Sequence, residues 1–176
     1  MKFFVFIIFL SSIMSNDIIF NFTKSADISD WVVVVDGVMG GKSTGEFCLT
    51  EEGNALFKGH ISLENNGGFS SVRYRFPKMD VSDHSQIHLR AKGDGKKYQF
   101  RIKDHVRNYY SYTSHFDTSG EWEDITIDLK YMYPVFRGRI LNLPDFSADD
   151  IAEVTILIGN KAEESFRLEI DSIYLE

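Results

Sequence analysis

Hydrophobic and polar residues alternate with a period of two along most of this chain. The alternation is clearest in residues 69–76, 87–91, 98–103, 125–129 and 166–170. A period of two gives each strand one apolar face and one polar face, which is typical of antiparallel sheets packed face to face. Short runs of this kind, separated by turns, predict an all-β fold, either a β-sandwich or a jelly roll.

Local signals refine this prediction. The turn sequence Gly93-Asp94-Gly95-Lys96 predicts a tight hairpin between the strands on either side of it. The alternation changes phase after Ile170, which predicts a β-bulge near Asp171. The best helix signal is residues 147–152, where a serine precedes two aspartates, and it predicts a single N-capped turn. We expect one domain over residues 18–176.

The first residues have a different character. Met1 and Lys2 precede the unbroken apolar run of residues 3–10, and small polar residues follow it. This pattern predicts a signal peptide over residues 1–15 and an exported protein, periplasmic or secreted. The run is too short to cross a bilayer, so we expect no transmembrane span in the mature chain. The alternative is a buried first strand.

Charge and cysteine content exclude several classes of partner. The chain has 19 Lys and Arg against 26 Asp and Glu, a formal net charge of −7, so we expect no nucleic-acid partner. The single cysteine, Cys48, excludes an intrachain disulfide. On a strand, His84 and His88 lie about 13 Å apart, too far to share a metal. We expect a monomer with no metal and no cofactor.

Motifs for catalysis are missing from the sequence. It contains no nucleophile elbow, no P-loop and no dinucleotide-binding fingerprint. Its adjacent acids, such as Glu51 and Glu52, point to opposite faces of an extended chain and make a poor acid–base pair. We expect a binding protein and not an enzyme; a hydrolase is the least supported hypothesis.

Glycine-rich segments carry more information. The two main ones are residues 36–43 and residues 65–69, and a third segment, residues 136–139, places two arginines around Gly138. Glycine permits positive φ and close backbone approach, so these loops serve either turn geometry alone or contact with a ligand. The arginines either bind a carboxylate or sugar hydroxyl, or pair with acids of the same chain.

These segments, in order, resemble the complex I intermediate-associated protein family. The resemblance rests on Trp31 with residues 36–43, on residues 57–59, 65–73, 92–101, 136–139 and 158–161, and on the closing residues 166–173. It covers nearly the whole mature chain. It implies a galactose-binding-like jelly-roll β-sandwich of two antiparallel sheets. It also implies a non-catalytic, chaperone-like role, because mitochondrial members of the family assist assembly of respiratory complex I.

Two functions remain open from the sequence. The first is a module that binds a protein partner through rim loops, and the second is an exported carbohydrate-binding module that stacks sugars on aromatic rings. Candidate rings for the second are Trp31, Trp122, Tyr109, Tyr110 and Tyr112. The candidate binding residues are Trp31, Asp36, Met39, Gly40, Gly41, Lys42, Ser43, Gly67, Gly68, Phe69, Arg73, Arg101, Phe136, Arg137 and Arg139. A shared site requires Gly40, Gly68 and Arg137 to line one surface.

Overall fold

The computed structural model of the chain describes residues 17–176, apart from the side chains of Val38 and Met39. The predicted signal peptide, residues 1–15, lies outside the described residues. The strands are β1 (Asp17–Asn21), β2 (Trp31–Val35), β3 (Thr44–Leu49), β4 (Ala55–Ile61), β5 (Ser70–Asp80), β6 (Gln86–Lys92), β7 (Lys97–Lys103), β8 (Ser111–Asp117), β9 (Trp122–Asp128), β10 (Tyr133–Phe136), β11 (Arg139–Ile140), β12 (Asp150–Ile158) and β13 (Glu164–Leu175). Three short 3₁₀ helices cover Asp36–Met39, Glu64–Asn66 and Leu129–Tyr131. Within this part of the chain, no helix has the length and apolarity needed to span a membrane.

The strands form two sheets. One has six strands in the order β3-β4-β13-β6-β9, with β1 beside β13. The other has seven strands in the order β11-β10-β8-β7-β12-β5-β2. Every pairing between strands is antiparallel. This architecture confirms the predicted jelly-roll β-sandwich of two antiparallel sheets.

The hydrophobic core lies between the sheets and is built from the alternating residues of each strand. Phe57 and Leu168 of the six-stranded sheet and Phe100 and Ile156 of the seven-stranded sheet are fully buried. Burial of one such side chain contributes roughly 1.5–3 kcal/mol relative to leaving it exposed. The period-two pattern therefore predicts which side of each strand faces inward, and the structure confirms it.

The predicted hairpin at residues 93–96 is wrong. Strand β6 pairs with β9 and β13, whereas β7 pairs with β8 and β12, so this turn carries the chain from one sheet to the other. Asp94 fixes the crossing, because its carboxylate accepts hydrogen bonds from Tyr98 Oη at 2.9 Å and from the backbone N of Arg167 at 2.9 Å. Turn residues specify a change of direction but not the partner strand.

The predicted helical turn at residues 147–152 is also wrong. Strand β12 begins at Asp150, and Ile151 is buried opposite Met79 of β5. Pairing with β5 and burial of Ile151 prevail over the local capping signal. The predicted β-bulge near Asp171 is confirmed, because the register of β13 against β6 shifts between Ile170 and Ser172.

Candidate functional site

Both glycine-rich loops converge on the carboxylate of Asp36, at the end of β2. Asp36 is only 2% exposed. It accepts hydrogen bonds from Ser43 N at 3.1 Å and Ser43 Oγ at 2.5 Å. Across the gap between the loops, it also accepts from Gly68 N at 2.6 Å and Phe69 N at 3.3 Å. One buried side chain therefore joins residues 36–43 to residues 67–69.

The charge on Asp36 is stabilised by these donors. Burial by itself raises the pKa of the Asp36 carboxyl, but the hydrogen bonds from Ser43, Gly68 and Phe69 outweigh burial and lower this pKa below its ordinary value. A Cβ on Gly41 would collide with the Asp36 side chain, and a Cβ on Gly67 would stand 2.5 Å from Asp36 Oδ2. These two glycines are required by the close packing around the carboxylate.

Other polar groups of the two loops also bind one another. Lys42 forms an ion pair with Glu64, and Asn65 Nδ2 donates to the carbonyl of Gly40 at 2.8 Å. Gly40 itself has a φ of 86°, which suits a glycine at the end of a 3₁₀ helix. The contacts thus support turn geometry as the reason for the glycines, and a ligand role for these loops stays a prediction. The side chain of Met39 lies outside the described part of the chain.

Trp31 belongs to the core. It is 6% exposed and stacks on Tyr74 at 5.0 Å and Phe47 at 5.1 Å between ring centroids. A ring covered on both sides cannot stack on a ligand, which corrects the assignment of Trp31 as a binding residue. Among the other candidate rings, Tyr109 is the most open, with 63% exposure.

The arginine-containing turn lies at the far edge of the seven-stranded sheet. Arg137 and Gly138 form the turn between β10 and β11, with positive φ of 47° and 73°. The Arg137 guanidinium lies 5.2 Å from the Phe136 ring centroid, and Arg139 is exposed on β11. Four strand spacings, about 19 Å, separate β10 from β5. Gly40, Gly68 and Arg137 therefore do not line one surface.

Arg73 and Arg101, in contrast, are brought together on the outer face of the seven-stranded sheet. Thr155 of β12 is directly opposite Arg73 on one side and Arg101 on the other. Directly opposed residues point to the same face of a sheet, and their neighbours along each strand are buried in the core. The same register continues to both sides and defines an outward-facing set that we name the arginine row: Val32, Arg73, Thr155, Arg101, Thr113 and Tyr133.

Two polar atoms of the arginine row have no partner in the described part of the chain. Thr113 is 1% exposed and its Oγ1 makes no hydrogen bond there, and neither does the buried Nε of Arg73. Arg101 donates only to the neutral side-chain oxygen of Gln99, at 3.0 and 2.6 Å. Burial lowers the pKa of Arg101 to about 10, which still leaves it charged at neutral pH. The arginine row therefore holds hydrogen-bond donors that lack an acceptor or lack a charged acceptor within the described residues.

Charged residues of both signs lie on either side of the arginine row. In the adjacent row, buried Glu153 is bound by Arg75 Nε at 2.7 Å, and it lies opposite Lys103. Lys103 Nζ donates to a backbone carbonyl at 2.6 Å. On the other side, His115 Nδ1 lies 2.9 Å from Tyr133 Oη. Acids lie beside this face as well, because Asp30 lines a pocket with Val32 and Arg73, Asp104 acts on Lys103, and Asp117 acts on His115.

Sequence reasoning singled out Arg73 and Arg101 but missed Thr113, Thr155 and Tyr133. Alternation along the sequence places Thr155, between the core residues Val154 and Ile156, on the outward face of its strand, but it does not do so for Thr113, which is 1% exposed, or for Tyr133. It does not show that β8, β12 and β10 are near neighbours, because that depends on sheet order. The missing signal is long-range register, which periodicity alone does not carry.

Comparison with known proteins first defines the class of fold. The structure is similar to a family 11 carbohydrate-binding module from Clostridium thermocellum in complex with a β-1,3-1,4-mixed-linked tetrasaccharide, with a TM-score of 0.67, 16% identity, and coverage of 91% of this chain and 94% of that one. A second solved structure, of the family 11 module of a cellulosomal cellulase of the same organism, gives a TM-score of 0.69 at 16% identity and covers 93% of this chain and 95% of that one. The fold is thus a jelly-roll β-sandwich, as in these two structures.

The sequence then defines the family. Residues 20–170 match the family Complex I intermediate-associated protein 30 (CIA30), and the chain belongs to it. A curated relative from Mus musculus, "Complex I intermediate-associated protein 30, mitochondrial", is 24% identical over 181 aligned positions. The alignment covers 89% of this chain but 55% of the mouse protein, so the chain spans about half the length of that relative.

The family relationship corrects one prediction. We predicted an exported protein from residues 1–15, but the named relative is mitochondrial, and export is therefore wrong. The signal peptide over residues 1–15 stays a prediction, because these residues lie outside the described part of the chain.

Proposed function

We propose that this chain is a non-catalytic binding domain that acts, like its family, as an assembly factor for respiratory complex I. It binds a protein partner through the outer face of the seven-stranded sheet, centred on the arginine row. The single observation that carries this proposal is the placement of Arg73 and Arg101 on either side of Thr155, on an outward face where neither arginine has an acidic partner among the described residues.

The energetic argument concerns polar groups that are buried without a partner. Each such group costs about 1–3 kcal/mol, and native structures satisfy most of them. The arginine row holds two, Thr113 Oγ1 and Arg73 Nε, among the described residues. These two atoms are inaccessible, so a bound partner acts instead on the partly exposed side chains of Arg73 and Arg101, to which it supplies acceptors. The loops around Asp36 offer a partner fewer free hydrogen-bonding groups, because their polar groups already bind one another.

The assembly role comes from the family and from the printed name of the mouse relative. Since the chain spans about half of that protein, the mitochondrial location and the complex I partner are part of this proposal. The absence of catalysis is likewise proposed, on the basis of the binding-module fold and the lack of a nucleophile–base arrangement in the sequence.

Site-specific photo-crosslinking tests the proposal. A photoreactive phenylalanine analogue replaces Val32, which is 52% exposed at one end of the arginine row, or Thr126, an exposed position on the outer face of the six-stranded sheet. We expect the Val32 probe to crosslink a subunit or assembly factor of complex I, identified by mass spectrometry, and the Thr126 probe not to do so. Crosslinks to such a protein from Thr126 alone would reject the face that we propose.

Carbohydrate binding is the second candidate. It is supported by the likeness to the family 11 modules and by two tyrosines: Tyr133 of the arginine row, and exposed Tyr109, which packs on Phe136. Calorimetry with a β-1,3-1,4-linked glucose tetrasaccharide distinguishes the two functions. Millimolar or tighter binding that is lost in Tyr133→Ala would favour carbohydrate, and no heat at millimolar concentration would favour the protein partner.

A further inference from the structure

We infer that Arg73 and Arg101 together bind the carboxylate groups of an acidic, extended segment of the partner protein. This inference rests on the proposed function and specifies what the arginine row recognises. The juxtaposition that carries it is Thr155, a small residue flanked on both sides by an arginine on the outer face of the sheet.

The geometry suits a carboxylate. Two strand spacings, about 10 Å between Cα atoms, separate Arg73 from Arg101. Both long side chains project from the face of the sheet that also carries the Thr155 side chain. A guanidinium presents a planar set of N–H donors that matches the two oxygens of a carboxylate. Arg73 Nε has no acceptor, and Arg101 has only the amide oxygen of Gln99. Both guanidinium groups therefore lack an anionic partner within the described residues.

Four cations, Arg73, Arg75, Arg101 and Lys103, lie close together against three acids, Asp30, Asp104 and Glu153, and this balance favours an anion over a cation. The arginine row contains no acidic residue, and Glu153 in the adjacent row is already bound by Arg75. Lys103 adds a further positive charge, and the pKa of its amine is lowered first by burial and also by Arg73 and Arg75, partly opposed by Glu153. Repulsion among these cations is relieved when a negative group binds between them.

Apolar side chains at the ends of the arginine row favour a peptide over a simple anion. Val32, at one end, is 52% exposed, and Tyr133 lies at the other end. Beyond Tyr133, Ile140 of β11 is 71% exposed. Five strand spacings, about 24 Å, span the row, which matches roughly seven residues of extended chain. The occupant is thus an extended segment with acids in the middle and apolar residues at its ends.

Calorimetry with defined peptides tests this inference. The probe is a seven-residue peptide with leucine at both ends and glutamates between, and its control replaces each glutamate by glutamine. We expect the acidic peptide to bind at least tenfold tighter than the control. Arg73→Gln and Arg101→Gln each weaken its binding at least tenfold. Arg90→Gln, on the outer face of the six-stranded sheet where Arg90 pairs with Asp124, leaves it unchanged.

Other outcomes would overturn the inference. Equal binding of the two peptides, or equal effects of Arg73→Gln and Arg90→Gln, contradicts it. Binding of oligogalacturonate in place of the acidic peptide contradicts it in favour of an acidic carbohydrate. Near-ultraviolet circular dichroism checks folding, and if Arg101→Gln does not fold, Arg73→Gln decides. If the acidic peptide does not bind while the Val32 probe crosslinks a complex I protein, this inference is contradicted and the proposed function is supported.

Discussion

Asp36 Oδ2 accepts a hydrogen bond from the backbone N of Gly68 at 2.6 Å, although 32 positions separate the two residues in the chain. This contact joins the end of β2 to the loop that begins β5. It explains why two glycine-rich segments that are distant in sequence occur in the same protein. The buried carboxylate accepts from several donors of both loops, and Gly41 and Gly67 leave the space that its side chain occupies.

Replacing Asp36 by Asn tests this role. The amide turns one acceptor oxygen into a donor that faces other donors, so we expect Asp36→Asn to lower the free energy of unfolding by about 2–4 kcal/mol at pH 7. The folded pKa of Asp36 lies below its ordinary value. The free energy that the Asp36 charge contributes to folding is therefore fully present above about pH 4–5. It is lost as the pH falls through the pKa of Asp36 in the folded protein.

Measuring the stability difference between wild type and Asp36→Asn at several pH values tests whether the Asp36 charge is responsible for it. Asp27 and Asp80 also have lowered pKa values, from hydrogen bonds donated by Ser29 and Ser82, but they are present in both proteins and cancel in the comparison. Urea unfolding at pH 7, 4 and 3 should show the difference between wild type and Asp36→Asn narrowing with acidity. A difference that stays constant or grows would contradict the charged role of Asp36.

Gly67→Ala tests the packing of the second loop. The added methyl group would stand 2.5 Å from Asp36 Oδ2, so the loop must move and the Asp36 hydrogen bonds weaken. We expect a loss of about 1–3 kcal/mol in the free energy of unfolding. Gly37→Ala is the matched control, because the nearest atom to its Cβ is 3.8 Å away, and it should change stability by no more than about 0.5 kcal/mol. If Gly67→Ala lowers the free energy of unfolding no more than Gly37→Ala does, the second loop tolerates the methyl group and this account of its packing is contradicted.

Tyr98→Phe tests the crossing between the sheets. Tyr98 is fully buried and its hydroxyl donates to Asp94 Oδ1 at 2.9 Å. Burial, reinforced by the charge of Asp94, raises the pKa of Tyr98, so the hydroxyl stays a donor at all ordinary pH values. We expect Tyr98→Phe to cost about 1–3 kcal/mol in thermal or urea unfolding. Tyr109→Phe, at an exposed ring, should have no measurable effect; a loss as large as that of Tyr98→Phe would contradict this account.

The charge of the arginine row can be measured at His115. Burial lowers the pKa of the His115 imidazole, and the charges of Lys97 and Arg101 lower it further, opposed by Asp117; the Tyr133 hydroxyl is its hydrogen-bond partner. Titration by nuclear magnetic resonance should therefore place this pKa below the ordinary histidine value. Arg101→Gln should raise it, since one cation is removed. No change in that variant would show that Arg101 does not act on His115.

Periodicity predicted the strands, their inward faces and the β-bulge, because each depends on neighbours along one strand. It did not predict that β6 and β7 lie in different sheets, since Gly93 to Lys96 form a good turn in either arrangement. The pairing of Asp36 with Gly68 and the arginine row depend on contacts between distant segments. Sequence reasoning found Arg73 and Arg101 as separate candidates, and only the register of β12 shows that Thr155 lies between them.

Restoration of complex I tests the central claim most directly. In cells that lack this protein, the account predicts that a variant with Arg73→Gln and Arg101→Gln fails to restore mature complex I on native gels. A control variant with Arg90→Gln and Arg167→Gln, on the outer face of the other sheet, restores it at the same protein level. Full restoration by the first variant, or equal failure of both, would contradict the claim that the outer face of the seven-stranded sheet binds the partner.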